Sequence, residues 1–171
     1  MVLLIPLHEE LAKIAPISVV SENIDGEINV SYLSEPTAEE RSAVDQVVYQ
    51  WPLEKSKLEA DEEIDEAVRQ VEEAGFDTGK GYRIDLSTKG SSDLTGSVVL
   101  AKETVSRDYD GMHFILDNQG ITQSVSYEEL IEISIEYGKA RNALYILASQ
   151  KTLRIRQAGT VEEVRKIKFS S

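Results

Sequence analysis

Between residues 126 and 158 the chain repeats apolar side chains at alternating steps of three and four: Leu130, Ile133, Tyr137, Ala140, Leu144 and Leu147. Only a helix puts such a series on one side, and the 3-4 alternation is that of a coiled-coil seam. Ser126 is placed to cap its start, and the pattern can run to Ala158 before Gly159 stops it. A helix of roughly 30 residues is long for a globular domain, where three to four turns are usual. Its seam must be covered, by the rest of the chain or by another copy, so self-association through 126–158 is one expectation. After it, Thr160 caps a short closing helix in TVEEVRKI.

Upstream, the signals alternate between hairpin and helix. His8 to Ile14 predicts a short helix stopped by Pro16. ISVVSEN and EINVSYL flank Asp25-Gly26, a dipeptide that favours a tight hairpin turn. Thr37 and Glu40 form a capping box, and Ala43, Val44, Val47, Val48 and Trp51 make an apolar stripe ending at Pro52, which ends or bends the helix. Residues 54 to 73 hold nine carboxylates and three bases, with Leu58, Ile64, Val68 and Val71 at helical spacing and Gly75 as the C-terminal cap. GFDTGKGYRIDLSTKGSS reads as loop around a short strand in YRIDL, then Ser91 or Ser92 caps a helix. HFILDNQGITQSVS reads as a second hairpin, with His113 to Leu116 as a strand and Asn118 to Gly120 in the turn. The fold class is therefore α+β. A hairpin-plus-helix module (1–53) is followed by an acidic connecting helix (54–74) and a mainly helical module (75–171) with a hairpin and the long helix.

Composition narrows the chemistry. A net charge of −13 argues against nucleic acid, whose phosphates need a basic footprint. The charge is uneven, because residues 139 to 168 sum to +6 and the first 138 to −19. The absence of Cys excludes disulfides and thiolate metal sites and fits a reducing compartment. The opening MVLLIPLHEELAK lacks the positive start and long apolar run of a signal peptide, and no window approaches the roughly 18 apolar residues of a membrane span. The expected location is the cytoplasm. With no export signal, the acceptor pattern Asn29-Val30-Ser31 would not meet the glycosylating enzyme.

No catalytic constellation emerges. GFDTGKG has three residues between Gly75 and Gly79 where a phosphate loop needs four, and Gly81 stands where Ser or Thr should hold magnesium. His8 and His113 are the only histidines, and His113 is expected at a strand surface or edge. Asp108, Asp110 and Gly111 echo a calcium loop without its later ligands, so a turn is expected. The paired carboxylates of 61–66 belong to a solvated helix face, whereas acid–base catalysis needs a cleft that separates their pKa values. The expectation is a protein that is not an enzyme and carries no cofactor.

Read in order, LHEELAKIAPISVVS, INVSYLSEPTAEERSAVDQVVYQW, ILDNQGITQSVSYEELIEISIEYGKARNALY and TVEEVRKI carry one resemblance. The N-terminal stretch resembles a module of small proteins encoded beside bacteriophage tail-fibre genes. The C-terminal stretch is similar to a helical module that recurs in phage tail-fibre and tail-fibre assembly proteins. The resemblance implies an assembly chaperone that holds a tail-fibre subunit in the host cytoplasm until its trimer forms. The alternatives are a structural protein of the tail or baseplate, retained in the virion, and an acidic DNA mimic, suggested by the carboxylates of 59–73. The resemblance carries over no binding residue. Exposure reasoning puts the grip on the first hairpin, where Ile28, Val30 and Tyr32 would set a client strand's register. Tyr49 and Trp51 are the aromatic anchors, with the core of the N-terminal module as the other reading of Trp51.

Overall fold

The computed structural model describes residues 4–105 and 112–169. Its fold is α+β: five helices and three antiparallel strand pairs among the described residues. The elements are α1 (Leu4–Leu11), β1 (Ile17–Glu22), β2 (Ile28–Tyr32), α2 (Ala38–Ala74), β3 (Phe76–Asp77), β4 (Arg83–Ile84), α3 (Thr88–Val105), β5 (His113–Leu116), β6 (Thr122–Val125), α4 (Tyr127–Gln157) and α5 (Val161–Arg165). They form two compact units, Met1–Ala60 with Ile155–Ile167, and Asp61–Arg154 with Lys168–Ser171.

The first unit is built on the opening helix and hairpin. α1 begins four residues before the expected His8, because Pro6 falls in its first turn, where a missing N–H costs nothing. Leu7 and Leu11, one turn apart, are both fully buried. The helix stops at Leu11 rather than Ile14, since Pro16 steers Ala15 away from helical angles. β1 and β2 pair with Val20 opposite Val30 and a register shift between Ile17 and Val19. The turn is longer than Asp25-Gly26 alone: Asn23 Oδ1 accepts from the N–H groups of Asp25 (3.0 Å) and Glu27 (2.8 Å). Leu7, Leu11, Ala15, Ile17, Val44 and Trp51 form the core.

α2 opens with the expected box: Thr37 N–H donates to Glu40 Oε2 (2.7 Å) and Glu40 N–H to Thr37 Oγ1 (3.2 Å). Those bonds hold the Glu40 carboxyl below its ordinary pKa. The helix then runs through Pro52 without ending. The acidic connector is therefore the second half of one 37-residue helix. A mid-helix proline costs about 3 kcal/mol, and burial of Val44 and Trp51 before it and Ile64 after it outweighs that. The border between units falls at Ala60/Asp61 inside α2, and residues 155–167 belong with the first sixty, so the boundaries read from composition do not coincide with the packing. Gly75 closes α2 at φ +74°, donating to the Val71 and Glu72 carbonyls, and a Cβ there would sit 2.8 Å from the Ile84 oxygen.

In the second unit the glycine-rich loop is itself a small hairpin, β3–β4. α3 starts one turn before the expected Ser91 or Ser92. Gly90 makes that possible, because a Cβ there would lie 1.9 Å from the Asp85 oxygen. β5 and β6 pair as expected, with Gly120 at φ +77° in the turn. Ser126 and Glu129 cap α4 reciprocally, at 3.2 and 3.1 Å. Ile84, Leu86, Leu94, Ala101, Ile115, Val125, Leu130, Ile133 and Tyr137 form the core. The α4 seam is buried at Leu130, Ile133, Tyr137 and Leu144 and half-buried at Ala140 and Leu147. Tyr137 Oη donates to the Asp85 carbonyl at 2.9 Å, and burial raises its pKa to about 12. Beyond α4, Thr160 caps α5 as expected. The Asp108–Gly111 turn lies outside the described residues.

Candidate functional site

The five expected gripping residues do not form one surface. Ile28, Val30 and Tyr32 occupy alternate positions of β2 and turn half-buried against the first unit's core. The period-2 face of a strand is the face that a core claims. Trp51 is only 4 % exposed and belongs to that core, which corrects its reading as an anchor. Tyr49, 85 % exposed, stands apart from it. Between α1 and β1 the first unit leaves another surface open: Ile5 and Val19 are exposed, and with Leu4, His8, Ser18 and Val20 they line a shallow cleft of about 300 Å³.

The more pronounced surface is on the β5–β6 hairpin of the second unit. β5 alternates: His113 and Ile115 point inward, and Phe114 (61 % exposed) and Leu116 (44 %) point outward, with Met112 (48 %) just before them. His113 is thus buried, edge-on to the Tyr127 ring at 6.0 Å, and not on the surface as expected. Phe114 faces Ser124 across the pair and Leu116 faces Thr122, so the outer face is an apolar stripe beside two hydroxyls.

The hairpin's electrostatics are those of a neutral surface. Asp117 is the only Asp, Glu, Lys or Arg between 112 and 126, and its charge is turned inward. Its Oδ1 accepts from the N–H groups of Gln119 (2.9 Å) and Ile121 (2.8 Å), and its Oδ2 from the Gln123 amide (2.8 Å). Burial pushes the Asp117 pKa up, the three donors outweigh it, and the carboxyl ends below its usual range. Asp117 N–H bonds the Ile121 carbonyl at 3.0 Å, which marks that pair as hydrogen-bonded. Bonded pairs alternate in an antiparallel ladder, so the N–H and C=O of Thr122 and Ser124 point away from β5 along an edge that no strand among the described residues pairs with. Edges left to solvent are normally guarded by charge, proline or a bulge, and this one carries none of them.

Sequence reasoning missed this face because Met112, Phe114 and Leu116 and the intervening Ile115 make a strand apolar at both parities. That pattern is itself a signal, since such strands are covered on both faces and this chain covers one. Among the described residues no group of three or more His, Asp or Glu side chains could hold a metal ion, and no helix is long and apolar enough to cross a membrane. Comparison with protein-family models, with curated proteins and with solved structures finds no match.

Proposed function

We propose that this is a protein-binding protein that takes up an unpaired β-strand of a partner on the β5–β6 hairpin. The observation that carries the reading is the hairpin with Met112, Phe114 and Leu116 outward, its one carboxylate turned inward, and an unguarded β6 edge. A strand added to that edge gains main-chain bonds at Thr122 and Ser124, and side chains on the stripe supply affinity. Covering the exposed halves of the three apolar side chains contributes roughly 3 kcal/mol. The partner we propose, from the resemblance of the chain to tail-fibre-associated modules, is a phage tail-fibre subunit held in the host cytoplasm before its trimer closes. Fibre subunits have open strand edges until they assemble, and open edges aggregate. The chain's −13 charge keeps such a complex dispersed.

The test is co-expression with a phage tail-fibre subunit, using the wild type and the variants Phe114→Asp and Ser124→Pro. The first puts a charge on the stripe, and the second removes an edge N–H. Soluble fibre with the wild type and aggregated fibre with either variant is expected, with both variants keeping the wild-type melting temperature. Fibre solubilised equally by all three would put the grip elsewhere. A wild type that crosslinks to itself at the hairpin and leaves the fibre insoluble would make this a self-association surface.

A further inference from the structure

A second surface in the same unit is cationic where the hairpin is neutral. Between α3 and α4 lies a groove of about 470 Å³, open to solvent. Its floor is apolar, with Leu94 and Val98 from α3 and the Tyr137 ring from α4, and its polar rim carries Lys102 and Arg141. No carboxylate is among the described residues that line it, in a chain with 31 Asp and Glu. Arg141 is held in place: its Nε donates to the Leu86 carbonyl at 3.1 Å, and its guanidinium lies 4.8 Å over the Tyr145 ring. Lys102 is exposed and makes no ion pair with a described residue. The groove therefore has a fixed cation on one helix and, on the other, an exposed one that pairs with no described residue, above a floor suited to apolar side chains.

Its length and wall narrow the occupant. The lining residues of α3 run from Ser91 to Lys102, three turns or about 16 Å of helix axis. Gly138 forms part of the wall, and a Cβ there would meet nothing within 4 Å. Packing within the chain therefore does not demand this glycine, which is disfavoured in a helix interior, and its missing side chain leaves room for a second backbone to approach. We infer that the groove docks an acidic amphipathic helix of a partner protein. Apolar residues at i, i+3 or i+4, and i+7 would meet Leu94, Val98 and Tyr137, and carboxylates beside them would meet Lys102 and Arg141. An anionic amphiphile shares the charge and the apolar tail but wants an enclosed cavity, and this groove is open along its side. The inference is independent of the strand-binding reading, because it concerns other elements and a charged contact.

The experiment uses the full chain and a fluorescein-labelled peptide of about 14 residues, with Leu at i, i+3, i+4 and i+7 and Glu between. Its controls are the same composition scrambled, a version with Lys in place of Glu, and decanoate as competitor. The protein variants are Lys102→Glu, which reverses the exposed cation, and Gly138→Phe, which fills the groove. Expected is saturable anisotropy with the ordered Glu peptide and at least tenfold weaker binding for the scrambled peptide, for the Lys version and for Lys102→Glu. Gly138→Phe should abolish binding while circular dichroism stays that of the wild type. Absent binding to the wild type, equal binding of ordered and scrambled peptides, or binding undiminished in Lys102→Glu would overturn the inference. Competition by decanoate at the concentration of the peptide would reassign the groove to an amphiphile and likewise overturn it.

Discussion

At the scale of single residues, Asp117 and Trp51 carry consequences that their sequence context did not announce. Asp117 is an acceptor for three donors in the β5–β6 turn, and its folded pKa lies below its ordinary value. The unfolded value is near 3.9, so the stabilisation is present above about pH 4 and is lost as pH falls through the folded pKa. Asp117→Asn should lower the urea midpoint at pH 7, and its stability should fall less than the wild type's between pH 5 and pH 2. Parallel urea titrations across that range check it, and parallel wild-type and variant curves would contradict it. Trp51 reads from sequence as an anchor or a core plug, and burial decides for the core. Trp51→Ala should cost about 3–5 kcal/mol, whereas Tyr49→Ala on the exposed side should stay within about 0.5 kcal/mol. Chemical denaturation of the two variants separates them.

Among the elements, those with short-range signals were legible and those decided by packing were not. Thr37 with Glu40 and Ser126 with Glu129 satisfy N–H groups within one turn, so both helix starts could be read directly. Gly26 and Gly120 mark their hairpins for the same reason, being positions at positive φ that glycine tolerates. Pro52 misleads because its local cost is real and is outweighed elsewhere. Replacing it with Ala restores an N–H for the Val48 carbonyl and should raise stability by about 1–3 kcal/mol, read as a higher urea midpoint. A fall would mean that the proline sets a bend that the packing of α2 needs. In α4 the seam is buried at Leu144, and Leu144→Asp should cost several kcal/mol. An unchanged melting temperature in that variant would contradict the burial.

For the whole molecule, there are two cores without shared residues, the first with one hairpin and the second with two, where composition suggests three consecutive modules. The single tryptophan lies in the first core, so its fluorescence reports that unit alone, while far-ultraviolet circular dichroism reports the helices of both. Urea unfolding followed by the two probes should give non-coincident transitions, since each core can be lost without the other. Coincident curves would mean that α2 and α4, which run through both units, make the chain unfold as one.

By itself the sequence determined the α+β class, the caps at Thr37, Ser126 and Thr160 though not that of α3, both longer hairpins and the extent of the long helix. Each of these depends on groups within about five residues of one another, whose bonds form whatever lies further along the chain. Tertiary structure alone decided three things: that Pro52 sits inside a helix, that residues 155–167 return to the first sixty, and that β5 buries His113 and presents Phe114. In each case two local arrangements are nearly equal in energy, and the choice falls to apolar area covered by residues remote in sequence. For β5 both parities are apolar, so only the position of the second core determines which side remains for a partner.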